Sequence, residues 1–416
     1  MAGAATVILT LLLLIFLPAS ATRRLFETWS LWHCRPLPFR HLISCISAIV
    51  LAALIWQGLI GTRDPLANPL PLAVWAVWWI VLVFLQGFLC DHWKYINPWT
   101  GPTAGLAWLT GLRPPFRYPR WFGHWPGVVL LLAFACILMV DPAPADPSRL
   151  ARYVGIYWYL TLLGLVLFGP VWLIRAEALT IMMRTYRQVA IIGCKNGRLA
   201  LGLSGWQMTH RPIPKPGLAV FMLVLLGCGS FDGLNETFWW MGQLGINPLE
   251  FPGRSAVVVP NFVGMLLANI LLIASFTACL WLGHLLIRKG TGLLNAFCLY
   301  APTLLPIALA YHLAHYLPSF LVEGQYVLKL VNEFLGLNDV YVTTGFFSRP
   351  DAVKAIWLTQ AGAVVVGHVI AILLAHLLAL RSHSTHSKAL IVQLPLAVFM
   401  VFYTVFGLWL LASPRG

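Results

Sequence analysis

Charge is what this chain has least of. Asp and Glu number 13 and Lys and Arg 27, so charged residues are 10% of 416, against about a quarter in soluble domains. Together with 60% hydrophobic side chains and a mean hydropathy of +0.81, this excludes an ordinary soluble enzyme and indicates a polytopic membrane protein. Close cysteine pairs are missing too. Cys34, Cys45, Cys90, Cys136, Cys194, Cys228, Cys279 and Cys298 show no CxxC spacing, which argues against a zinc knot and for buried free thiols. There is no HExxH, no nucleotide-binding loop and no clear internal repeat. The net charge of +14 does not mark a nucleic-acid partner. Lys and Arg fall between apolar runs, often beside aromatic residues, where membrane lipids and topology account for them.

What the chain does have is long apolar runs. They can be drawn at 3–20, 41–60, 70–90, 123–140, 152–174, 216–234, 257–287, 291–318, 352–380 and 388–412, each near the length of a bilayer crossing. The expected fold is therefore an all-α polytopic membrane protein: one transmembrane domain over residues 1–416 with about ten transmembrane helices. Leu11 to Pro18 followed by Ala19-Ser20-Ala21 has the form of a signal segment, but it lacks a positive start and Arg23, Arg24, Arg35 and Arg40 follow it. The expectation is a retained first helix with its N-terminus outside. Basic loops at 91–122, 175–215, 288–290 and 381–388 then share the cytoplasmic side, and the mixed or acidic loops at 235–256 and 319–351 lie outside with both termini. Residues 181–192 alternate basic and apolar side chains well enough to lie flat on the inner leaflet. Residues 319–351 have the pattern of a short interfacial helix.

Ionisable side chains inside such runs are costly unless compensated, and so they point to function. His312 and His315 stand one turn apart, and His368 and His376 follow in a later run. Asp232 closes an apolar stretch, with Glu236 four residues on. At matching depth, His312, His315, His368 and Asp232 would form a first shell for a divalent ion such as zinc, iron or manganese. Hydrogen bonding between helices and a metal-free proton relay remain alternatives. His376 lies deeper and with His284 would hold an inner ion, extend a polar path or ligate haem, the less favoured cofactor. Asp91 and His92 read either as an interfacial turn, with Asp91 paired to Lys94 or another loop cation, or as proton handlers at an inner mouth. Gln360 reads as a further buried polar group, or as an amide tying helices together.

Four stretches, Gly87 to Trp99, Ser230 to Thr237, Ala310 to Tyr316 and Gly367 to His376, resemble in sequence and order the bacterial integral-membrane proteins labelled fenitrothion hydrolase-like. The resemblance implies a bacterial inner-membrane protein that cleaves an aryl phosphotriester or thiophosphotriester, and a second membrane subunit. The chain departs from that group at its first segment and after His376, where Leu377-Leu378-Ala379-Leu380-Arg381 replaces an Asp-Arg pair. In a hydrolase, Asp232 and the histidines would hold the metal and Glu236 would accept a proton from water. The competing readings are a carrier of a metal ion or small anion and a metal- or haem-binding subunit of a membrane complex.

Overall fold

The computed structural model describes residues 2–16, 19–34, 37–111, 113–250, 253–287, 292–382 and 385–414. The chain is almost entirely helical. Among these residues eight helices are long and apolar enough to cross a membrane, which makes this a multi-pass membrane protein. The helices that matter below are α1 (Ala2–Phe16), α2 (Arg40–Ile60), α3 (Pro69–Phe88), α4 (Trp125–Met139), α5 (Pro147–Phe168), α6 (Ala178–Tyr186), α7 (Pro216–Asn235), α8 (Val258–Ile287), α9 (Leu305–Leu335), α10 (Pro350–Ser382) and α11 (His386–Ala412). The expected basic turn at 288–290 lies outside the described residues.

α7 is the hub. Pro216 opens it, where a missing N–H costs nothing, and 78% of its most apolar window is buried, the largest share of any span. It ends at Asn235 because Thr237 starts another helix, its hydroxyl accepting the Trp240 N–H at 3.2 Å. α9 and α10 pack side by side in opposite directions. Gly367 permits their close crossing, since a Cβ there would come within 2.8 Å of the Pro306 carbonyl. The Gln360 amide donates to the Ala314 carbonyl at 2.6 Å, the helix tie that its burial suggested.

Several expectations need correction. Beside the helices, strands β1 (Trp29–His33), β2 (Ile192–Lys195) and β3 (Arg198–Leu201) form one small antiparallel sheet in the order β1-β3-β2, which the sequence did not announce. The segment expected to lie flat on the membrane is instead α6 and its continuation, buried on nearly all sides. Several of its polar groups are satisfied inside the protein. Glu177 caps it by accepting from Leu179 N and Thr180 N, each at 2.7 Å, and Thr180 Oγ1 accepts from the Trp93 and Asn97 side chains. Most of 319–351 is not a loop, because α9 runs through Pro318 to Leu335 without a break. The described cysteines are free as expected, but only Cys228 and Cys298 are buried.

Candidate functional site

At one end of the bundle α7 and α9 bring Asp232, Glu236 and His315 together, with donor atoms all within 4.8 Å of one another. Asp232 and His315 are buried and Glu236 is half-buried. His315 Nε2 lies 3.2 Å from Asp232 Oδ2. That is the distance of a direct His–Asp contact, and it also matches two ligands sharing one ion, since donors about 2.1 Å from a cation sit roughly 3.0–3.4 Å apart in octahedral to tetrahedral geometry. Glu236 belongs to the group although it lies just past the last residue of α7 and not on a continued helical face.

Tyr316 is the residue that reading the sequence for metal ligands missed. Its hydroxyl donates to Asp232 Oδ2, and its ring lies 4.9 Å from that of His312. The available signal was spacing, since Tyr316 follows His312 by four residues and so shares its face of the helix. Trp79 is the second omission. It sits in a π-helical stretch, Leu72–Leu82, whose wider winding is common at functional positions, and its carbonyl is 2.8 Å from His312 Nε2.

A cavity of about 40 Å³ adjoins the group, with Asp232, His312, His315 and Tyr316 among its polar lining and Trp79, Phe134 and Leu225 among its walls. It has room for water and is far below the roughly 300 Å³ of a typical organic-ligand pocket. His312 faces the cavity but is not in the three-residue donor group.

Of the expected set of His312, His315, His368 and Asp232, the structure brings His315 and Asp232 together with Glu236, and His312 is not in that donor group. His368 is also outside the group. Gln360 is level with Ala314, and His368 lies eight residues further along α10, about 12 Å deeper. Its Nδ1 contacts the Val364 carbonyl at 2.8 Å, and its buried Nε2 has no partner.

The inner candidates do not form one centre among the described contacts. The fully buried His376 is 2.8 Å from the Gln393 amide, and the ring centroid of His386, an imidazole the sequence reading passed over, is 5.5 Å away. His284 Nδ1 contacts the Leu280 carbonyl of its own helix. Asp91 belongs elsewhere: it pairs with Arg187 and accepts from Gln86 at 2.9 Å. Gln86 in turn accepts from the backbone N–H groups of His92 and Trp93. The loop cation opposite Asp91 is thus Arg187, while Lys94 rests over the Tyr95 ring.

Burial would raise the Asp91 carboxyl, but Arg187 and then Gln86 outweigh it and hold the group below the usual range. Its stabilising effect is therefore complete above the ordinary carboxylate pKa and is lost as pH falls through the depressed one. Asp91→Asn is expected to destabilise the protein by about 1–3 kcal/mol at neutral pH, seen as a lower midpoint in thermal melts that converges with the native value in acid.

Gly233 is a second point of leverage. A Cβ there would lie 1.9 Å from the Tyr311 hydroxyl, and the Tyr311 ring stacks on His315 with centroids 5.9 Å apart and planes 8° from parallel. Gly233→Ala must therefore push the ring that supports His315. Loss of such support typically weakens metal binding about 10- to 100-fold, measurable by competition with a chromogenic chelator.

In comparisons with protein-family models, curated proteins and solved structures, nothing matches this chain.

Proposed function

We propose that this chain is a membrane-embedded, metal-dependent hydrolase of aryl phosphotriester or thiophosphotriester-like esters. Asp232, Glu236 and His315 would hold one divalent ion: zinc, iron or manganese. The observation that carries the reading is the 3.2 Å separation of His315 Nε2 and Asp232 Oδ2 within a group that also holds Glu236. Two carboxylates and one imidazole suit a divalent cation and leave coordination positions open. Such an ion supplies Lewis acidity toward a P=O or P=S group and lowers the pKa of water.

The protein's own groups divide the remaining work. Tyr316 fixes the Asp232 carboxylate through its hydroxyl, and the Tyr311 ring stacked on His315 fixes the imidazole. Glu236, half-buried at the end of α7 and within the donor group, would take a proton from water at the metal. The cavity admits water but not the ester, so the ester must meet the centre from the Glu236 side. An apolar ester has a route there through the lipid.

We place the chain in a bacterial inner membrane with ten crossings, the eight long spans plus α1 and α4, and with both termini outside. This assignment rests on the distribution of basic residues and puts the Asp232 end outward. A second membrane subunit accords with the resemblance noted above. The test is turnover of an aryl phosphotriester by purified protein in detergent, before and after chelation. Turnover lost on chelation and restored by a single divalent metal is the expected result; turnover indifferent to chelation would remove the assignment.

One observation favours transport of a cation as a second reading. His284, His368 and His376 each carry a buried Nε2 without a partner, an arrangement suited to an ion moving along the bundle. Uptake into proteoliposomes that falls in His368→Ala would favour it; unchanged uptake in that variant would set it aside.

A further inference from the structure

A second, larger cavity lies far from the metal site, where several helices end. Its volume is about 420 Å³, within the range of organic-ligand pockets. Arg40, the first residue of membrane-length α2, lines it together with His41 and Lys94. Leu106, Leu165 and Leu173 are among its apolar lining residues.

No carboxylate lines this cavity, and among the described residues neither Arg40 nor Lys94 forms a salt bridge. Arg40 Nε donates to His41 Nε2 at 3.1 Å, which leaves the planar end of the guanidinium for an anion. The threonines at the cavity do not compete for that role: Thr100 donates to Ser44 and Thr103 to the Trp99 carbonyl.

The surroundings fix the depth. Trp108, Leu109 and Trp121 stand 82%, 74% and 79% exposed nearby in sequence, and such aromatic and apolar side chains at helix ends belong at the headgroup level of a bilayer. A cavity at that depth, lined by both cationic and apolar side chains, matches one class of ligand in both charge and polarity.

We propose that this cavity binds an anionic phospholipid, its phosphate held by Arg40 and Lys94 and the start of an acyl chain lying along Leu106, Leu165 and Leu173. The proposal is independent of the metal site and of the hydrolase reading. Lipid bound here would brace the ends of α2 and α5 against residues 100–110.

The test is lipid retention by the full-length protein. Protein exchanged into nanodiscs of mixed phosphatidylglycerol and phosphatidylcholine is extracted in mild detergent and weighed by native mass spectrometry. The native chain is expected to retain one phosphatidylglycerol in preference to phosphatidylcholine. The double variant Arg40→Gln, Lys94→Gln should lose this preference by about tenfold or more, since each cation near an anionic headgroup contributes substantially. Arg113→Gln with Arg117→Gln, which removes loop cations not lining the cavity, should leave it unchanged.

Ala107→Trp keeps the charges but fills the apolar part, and is expected to release the lipid as well. Should the double glutamine variant fail to fold, Ala107→Trp and Arg40→Lys with retained charge supply the comparison. Equal retention of both lipids by the native chain, or retention unaffected by both kinds of variant, would overturn the proposal.

Discussion

His315→Ala is expected to weaken divalent-cation binding by at least a hundredfold and to abolish ester hydrolysis with it. The magnitude follows from ligand count. A four-ligand protein site binds zinc with about 10–16 kcal/mol, so one ligand represents roughly 3 kcal/mol, or a factor of about 100. The imidazole has no substitute nearby, because His312 is outside the donor group and contacts the Trp79 carbonyl. Asp232→Asn should produce a similar loss for a different reason: the amide keeps one oxygen but loses the charge, and Tyr316 then faces a weaker acceptor. Elemental analysis of the purified variants, run beside thermal melts that confirm folding, measures both effects. If either variant kept the native metal content, the assignment of that ligand would fall.

Glu236→Gln is expected to separate binding from chemistry. Glu236 is the most exposed of the three ligands and lies beyond the end of α7, so its metal contribution should be the smallest. Its proposed proton-accepting role has no replacement. Hydrolysis should fall by about 10²–10⁴-fold, the usual contribution of general acid–base catalysis, while metal content falls much less. Steady-state kinetics at saturating metal would show the loss in kcat. A variant that turns over at the native rate would leave Glu236 only a ligand.

Much of the architecture was legible because lipid imposes a length on apolar segments. The runs at 41–60, 70–90, 216–234, 352–380 and 388–412 correspond closely to α2, α3, α7, α10 and α11. The misreadings came from local signals that length does not carry. Asn196-Gly197, with φ of 50° and 75°, is a strong hairpin turn between two short strands, yet it sits inside a basic segment that reads as loop. Pro318 and the polar residues after it suggested that a span had ended, whereas a proline inside a long membrane-protein helix is tolerated when neighbours take up the strain.

The site was legible to the same degree. His315 and Asp232 were expected as ligands and Glu236 as the proton acceptor, and their donor atoms lie together. What the sequence could not reveal is helix register. His368 faces the core as expected, but the Gln360 contact with Ala314 sets it about 12 Å too deep to share an ion with His315. His312 is engaged by a backbone carbonyl from a π-helical turn, an interaction that no side-chain pattern announces.

The central claim is that one cation is held by Asp232, Glu236 and His315. X-ray absorption at the zinc edge, on protein stripped of metal and reloaded with one equivalent, tests it most directly. The expected spectrum has an inner shell of oxygen and nitrogen at about 2.0–2.2 Å with the outer-shell scattering of a single imidazole. Scattering from two or more imidazoles, or only that of a hydrated ion, would contradict the account.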